Sequence, residues 1–289
     1  MSDKTLCFTV PDNLDNISVK TFLRRNCGVS ARMISRLKRE KNGILRDNKN
    51  LKTIDILHKG DIIILNLPDE ENTVVPVKGD LVIVYEDEYL IVINKPYGVP
   101  VHPTKVHQED TLANFLSYLQ AERGENYTFR AINRLDKDTS GLVVIAKDKY
   151  CASNLFNTLY KTYYAVCEGI IEGKGRIDKP IRLKDGHSIQ RTCADDGLKS
   201  VTNYEALKSF NNHTLLKIKL ETGHTHQIRV HFSYSGHPLA GDDMYGASLK
   251  YIKRQALHCG EVSFIHPVTK DQISLKSDLP EDIKKLTLS

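Results

Sequence analysis

At 289 residues, 40% of them hydrophobic, the chain is long enough to bury a substantial core and to divide into a large domain and a small one. Its six cysteines include no C-x-x-C pair, which argues against a zinc knuckle or a disulfide framework and for reduced thiols. "MSDKTLCFTVPDN" lacks a signal-peptide core, and no run approaches the ~18 apolar residues of a membrane span, so a soluble cytoplasmic protein is expected. The net charge of +5 is unevenly spread: residues 14–66 hold twelve Lys/Arg against five Asp/Glu, while the rest is slightly acidic.

In chain order, Val19, Phe22 and Leu23 make one helical stripe. Met33, Ile34 and Leu37 make a second, behind the N-cap candidate Ser30, with Gly28 and Gly43 placed to end the two helices. Arg32, Arg36 and Arg39 recur at i, i+4 and i+7 and so share a face, a pattern suited to a phosphate backbone but also to a solvated surface. Short β segments follow, ending in a His58-Lys59-Gly60-Asp61 turn and the apolar strand Ile62–Leu65. Helix, basic helix and a strand unit closing on "KGDIIIL" resemble the small RNA-binding domain first described in ribosomal protein S-four, an α/β module. That resemblance covers residues 14–66 and implies structured RNA as a partner. Residues 67–80, "LPDEENTVVPVKGD", have the composition of a hinge.

From residue 81 to 289 a second domain is expected. Strands are predicted in "LVIVYED", "YLIVINK", "LVVIAK", "TYYAVCEGII" and "LLKIKLET". Helices are predicted in "TLANFLSYLQAE", through Leu112, Phe115, Leu116 and Leu119, and in "YCASNLFNTLY". No glycine-rich phosphate loop and no G-x-S-x-G turn occurs, which disfavours nucleotide-cofactor enzymes and the common hydrolases.

"NRLDKDTSGL", residues 133–142, crowds Arg134, Asp136, Lys137 and Asp138 against an apolar strand. Asp138, Thr139, Ser140 and Gly141 are turn formers that bend the chain into Leu142. A carboxylate among cations in a sheltered cleft can act as a nucleophile, whereas on a surface turn the same residues would only form local ion pairs.

Four further stretches accompany this motif: "NKPYGVPVHP" (94–103), "KTYYAV" (161–166), "ETGHTHQIRVHFSYSGHPLAGDDMYG" (221–246) and "LHCGEVSFIHP" (257–267). With "RLDKDTSGL", in this order, they strongly resemble the RluA family of RNA pseudouridine synthases over residues 81–275. The resemblance implies an α+β fold with a mixed, largely antiparallel central sheet, flanking helices and a cleft across its middle. It implies isomerisation of a uridine in RNA, in which the base is detached, rotated and rejoined through a ring carbon. That reaction gains and loses no atoms and needs no cofactor or metal.

Residue by residue, Asp136 matches the catalytic aspartate that attacks the anomeric carbon, and Tyr163 the tyrosine that lies against the base and takes the proton from the ring carbon. Arg229 matches the arginine that pairs with the aspartate, and Arg134 the arginine that follows the target into the helix when the nucleotide is flipped out. Lys95 is grouped with Arg134, Arg32, Arg36 and Arg39 as an RNA contact. Two positions depart from the pattern: Asn133 replaces a histidine before R-L-D, and His224 replaces the arginine of T-G-R-T-H. Large-subunit ribosomal RNA is the expected substrate, with transfer RNA second; no obligate protein partner is evident and nothing demands more than a monomer. Two rivals remain, a catalytically silent RNA-binding or ribosome-assembly factor and a metal-dependent hydrolase using His224, His226 and His231.

Overall fold

The computed structural model describes residues 4–68 and 72–288; positions 69–71, within the expected hinge, lie outside them. From residue 81 onward the apolar runs assemble into one ten-stranded sheet. Across it the order is Lys174–Asp178, Val201–Phe210, His213–Leu220, Tyr160–Glu168, Leu257–Ile265, Ser140–Ala146, Leu90–Lys95 and Ile83–Glu86. Gln272–Lys276 and Arg130–Ala131 pair off this path. The pairings are antiparallel except one: Ser140–Ala146 runs parallel to Leu257–Ile265, with Ser140 opposite His258 and Gly141 opposite Cys259. The largely antiparallel sheet expected from the motifs is what forms, and its single parallel seam lies at its centre.

That seam depends on a glycine. Gly141 has φ +118°, and a Cβ there would stand 2.3 Å from the Cys259 carbonyl oxygen, so only glycine lets the two backbones meet. Leu142 to Ala146 are fully buried, which explains why this strand reads as an unbroken apolar run. Each such side chain contributes roughly 1.5–3 kcal/mol of burial.

The helix Leu112–Arg123 starts at a capping box between Thr111 and Asn114 and stops at Gly124, which is left-handed at φ +67°. Leu112 and Leu116 are buried, whereas Phe115 and Leu119 are only partly so. The helix expected over 150–160 is shorter, Lys149–Leu155, capped by Asp148. Thr158 and Leu159 donate back to the Leu155 carbonyl and turn the chain into the next strand.

The N-terminal unit is a four-stranded antiparallel sheet ordered Lys4–Thr9, Ile62–Leu67, Ile44–Arg46 and Lys49–Asn50. The first of these strands carries little apolar signal, and only Leu6 in it is buried. Ser18 caps a short helix, Val19–Thr21, that widens into a π-helical turn, Phe22–Asn26; Ser30 caps Ala31–Leu37 by accepting from the Met33 N–H. Val19, Phe22, Leu23, Ile34 and Leu37 form the inward face. The unit packs on the Lys149–Leu155 helix. Tyr150 donates its hydroxyl to the Cys27 carbonyl at 2.8 Å, Phe8 meets the Tyr150 ring edge-on, and Lys4 pairs with Asp148 at 2.9 Å. The buried core is continuous across this contact. Among the described residues no helix is long and apolar enough to cross a membrane.

Candidate active site

The parallel seam opens the sheet where Asp136 enters. Asp136 to Thr139 form a tight turn, closed by the Thr139 N–H donating to the Asp136 carbonyl, and the chain passes directly into the strand at Ser140. Asp136 is left partly exposed, its side chain at 28%.

Arg229 reaches it from the helix Gln227–Tyr234. Its Nη1 donates to Asp136 at 3.3 Å, while its Nε and Nη2 grip Asp242 at 2.6 and 2.8 Å. Burial works against the guanidinium charge, but Asp242 and then Asp136 outweigh it and raise the Arg229 pKa. Asp242 is 1% exposed, so the pair is a buried fork that fixes one remaining N–H group on Asp136. Sequence reasoning assigned Arg229 but no role to Asp242, which lies thirteen residues downstream; its only local signal was its place in the polar run "GDDMYG".

A second approach to Asp136 was also missed. The Arg191 N–H donates to the Tyr245 oxygen at 2.9 Å, and the same hydroxyl is hydrogen-bonded to His226 Nδ1 at 2.9 Å. The other ring nitrogen, His226 Nε2, lies 3.8 Å from Asp136. Burial lowers the His226 pKa against the opposing pull of Asp136, consistent with a neutral ring. His226 is left-handed at φ +58°, a conformation that costs a non-glycine residue about 1–3 kcal/mol and tends to persist where surrounding structure enforces it. Gln227 supplies that enforcement: its side-chain oxygen accepts from the Thr222 hydroxyl and the His224 N–H, and its amide donates to Val201 and Thr202.

Tyr163 stands on the strand beside the seam, opposite Cys259, at a register shift between Thr162 and Tyr163 that locally re-aims the side chain. It is 7% exposed. Burial, then Cys259 and Asp136, push its pKa well above the ordinary value, so the group against Asp136 is a neutral phenol.

The other expected site residues separate. Arg134, two residues before Asp136, is exposed. Lys95 is not at the surface: it is fully buried, and its ammonium donates to the carbonyls of Pro96 and Val99, both at 2.8 Å, and of Lys137 at 3.0 Å. Placing it among RNA contacts is therefore corrected; it ties the 95–99 loop to the residue after Asp136. Asn133 is buried and spans the strand edge, donating to the Leu142 carbonyl and accepting from the Val144 N–H, work that needs no titrating group. His224 bonds the Lys199 carbonyl. His231 lies between the Thr202 hydroxyl and the Lys179 carbonyl, so the three histidines that suggested a metal serve three separate contacts. Among the described residues no group of three or more His, Cys, Asp or Glu is placed to hold a metal ion.

Arg32, Arg36 and Arg39 lie away from this cleft on the N-terminal unit, where all three line one shallow depression. Arg32 and Arg36 also line a groove of about 790 Å³ against the large domain, with Arg130 and Lys149. Burial, then Arg36, Arg130 and Arg32, lower the Lys149 pKa, so cations of the two units come near one another along this groove, which Glu88, Glu125 and Asp148 also line.

The sequence profile of RNA pseudouridylate synthase matches residues 89–234. The chain is 39% identical over 240 residues to the uncharacterized RNA pseudouridine synthase YhcT of Bacillus subtilis, covering 80% of each. It is 38% identical over 259 residues to the ribosomal large subunit pseudouridine synthase D of Pseudomonas aeruginosa, covering 82% of this chain and 80% of that one. Among solved structures, human RNA pseudouridylate synthase domain containing 4 superposes with a TM-score of 0.55 at 27% identity, over 70% of this chain and 90% of the other.

Proposed function

The chain belongs to the RluA family of RNA pseudouridine synthases, and on that premise we propose that it isomerises defined uridines of large-subunit ribosomal RNA with Asp136 as nucleophile. The observation that carries the assignment is the meeting of a partly exposed Asp136 with Arg229 and His226 at the parallel seam of the sheet. Substrate choice follows from similarity to a ribosomal large subunit synthase and from the basic face of the N-terminal unit, which we read as an S-four-type RNA-binding domain acting in the cytoplasm.

The atoms balance without an external reactant. An Asp136 oxygen attacks C1′ of a flipped uridine, the N1–C1′ bond breaks, and the uracil leaves as an anion delocalised over the ring. The base turns, C5 attacks C1′, and Asp136 departs as a carboxylate. The proton on C5 must then leave while N1 gains one. Because burial keeps Tyr163 protonated, we assign the released Asp136 carboxylate as acceptor of the C5 proton, which it returns to the base at N1 to regenerate the carboxylate, and Tyr163 as the wall against which the base turns. Arg229, locked by Asp242, orients Asp136 for the attack and compensates its charge when it is displaced. Arg134 would occupy the space that the flipped nucleotide leaves.

The test is a map of pseudouridines in total cellular RNA from cells with the native protein, without it, and with Asp136→Ala. Loss of the same large-subunit sites in the last two is expected. Sites confined to transfer RNA would overturn the substrate assignment, and sites retained with Asp136→Ala would overturn the nucleophile.

A further inference from the structure

The turn bearing Asp136 is held from beneath by a second buried arginine for which the reaction above has no use. Arg254, whose side chain is 4% exposed, donates Nη1 to the Asp138 carbonyl at 3.1 Å and to the carbonyls of Gln255 and Leu257 at 3.2 and 3.3 Å. Its Nε and Nη2 form a fork with Asp282 at 2.7 and 2.9 Å. Asp282 belongs to the C-terminal helix Glu281–Leu288, which is anchored through Ile283 and Leu286 in a cluster with Val166, Ala240, Ile252 and Ala256. The next residue of the turn is held too, since Gln255 donates to the Thr139 hydroxyl at 3.2 Å.

From this geometry we infer that Arg254 is a positioning residue for Asp136 and that the C-terminal helix, through Asp282, is part of the catalytic apparatus. The inference rests on Asp136 being the nucleophile. A guanidinium with five donors and a rigid plane can saturate a carboxylate on one edge and still fix a backbone carbonyl on the other. Without Asp282 the charge is left buried beside three carbonyls and is free to rotate, so the Asp138 carbonyl loses a fixed donor two residues from the attacking oxygen. Lys95 holds the neighbouring Lys137 carbonyl, so the turn is pinned at consecutive residues. Attack on C1′ needs near-attack geometry, and a displacement of about 1 Å costs on the order of 100-fold in rate. Binding of the RNA, spread over many contacts, needs no such accuracy.

The test follows tritium release from C5-labelled uridine in RNA from cells lacking the protein, under single-turnover conditions at saturating enzyme. It uses the full chain and Asp282→Asn, Arg254→Met, the double variant and Asp136→Ala. Asp282→Asn is expected to lower the rate by roughly 10- to 100-fold while RNA affinity stays within twofold. In the Arg254→Met background the Asp282→Asn change should add nothing, because it acts through Arg254. Should Asp282→Asn not fold, Arg254→Lys takes its place: it keeps a charge for Asp282 but lacks the fork, and a slow rate with RNA affinity within twofold of native is expected. A normal rate for Asp282→Asn, or equal losses in both backgrounds, overturns the inference while inactivity of Asp136→Ala leaves the nucleophile standing. Turnover by Asp136→Ala overturns both together.

Discussion

Two buried arginines serve the same turn in different ways. Arg229 and Arg254 each give two nitrogens to an aspartate, Asp242 and Asp282, and each keeps one nitrogen for residues 136–138. Arg229 spends it on the Asp136 carboxylate, whose charge would change in the proposed reaction; Arg254 spends it on the Asp138 carbonyl, whose charge would not. On the mechanism proposed above, one acts on the nucleophile's charge and the other on its position. A bidentate partner is what makes either possible, since a guanidinium held on one edge cannot swing away from its target.

The comparison is broken most severely at the more buried fork. Asp242→Asn leaves the buried Arg229 with only the partly exposed Asp136 as counter-charge, and a loss of about 3–5 kcal/mol is expected, read by denaturant unfolding. Asp282 is 30% exposed, so its replacement should cost clearly less stability; equal losses would contradict the distinction between the two arginines.

Next in size is the lysine that shares Arg254's task. Burial lowers the Lys95 pKa to about 7, against opposing pulls from Asp138 and Asp136. An unfolded chain holds that proton to about pH 10.4, so between these values the unfolded state binds more protons and stability rises with pH, by about 1.4 kcal/mol per unit. Below about pH 7 the full penalty of burying the charge applies. Lys95→Met should therefore flatten the rise measured by unfolding from pH 7 to 10; an unchanged slope would show that Lys95 is not its source.

The N-terminal unit supplies the contrast between affinity and chemistry. Replacing Arg32, Arg36 and Arg39 together by Ala should weaken RNA binding and reduce the slope of log K against log salt by about two to three, with saturating turnover retained. A collapse of saturating turnover would place these arginines in the chemistry. The smallest effect is expected at Tyr163: as a wall, it should tolerate Tyr163→Phe within about tenfold and keep its pH–rate profile, since the change removes no working base. A lost alkaline limb would restore proton transfer to the phenol.

Much of the site was legible because its parts lie in short, unusual runs. Turn formers at 138–141 ahead of an apolar strand marked the bend, the family resemblance of the run pointed to Asp136 within it, and Gly141 proves to be needed where two backbones touch. The partners of the two forks were not legible: Asp242 and Asp282 lie thirteen and twenty-eight residues from their arginines, and no local period marks such a pair. Lys95 was misplaced because a lysine is ordinarily a surface residue, and three carbonyls converge on it only once the loops fold. The first strand escaped notice because one buried residue, Leu6, makes no pattern. The polar edge strand Lys174–Asp178 gave as little signal.

The most direct measurement compares the native protein with Asp136→Asn, which keeps the side chain's size and removes its charge. C5 tritium release in a single turnover, RNA affinity and melting temperature would be read on the same preparations. The expected result is affinity within twofold, an unaltered fold and a rate lowered by about 10⁴-fold or more, the scale on which loss of a nucleophile is felt. A rate within tenfold of native would contradict the assignment of Asp136 as the group that breaks the glycosidic bond.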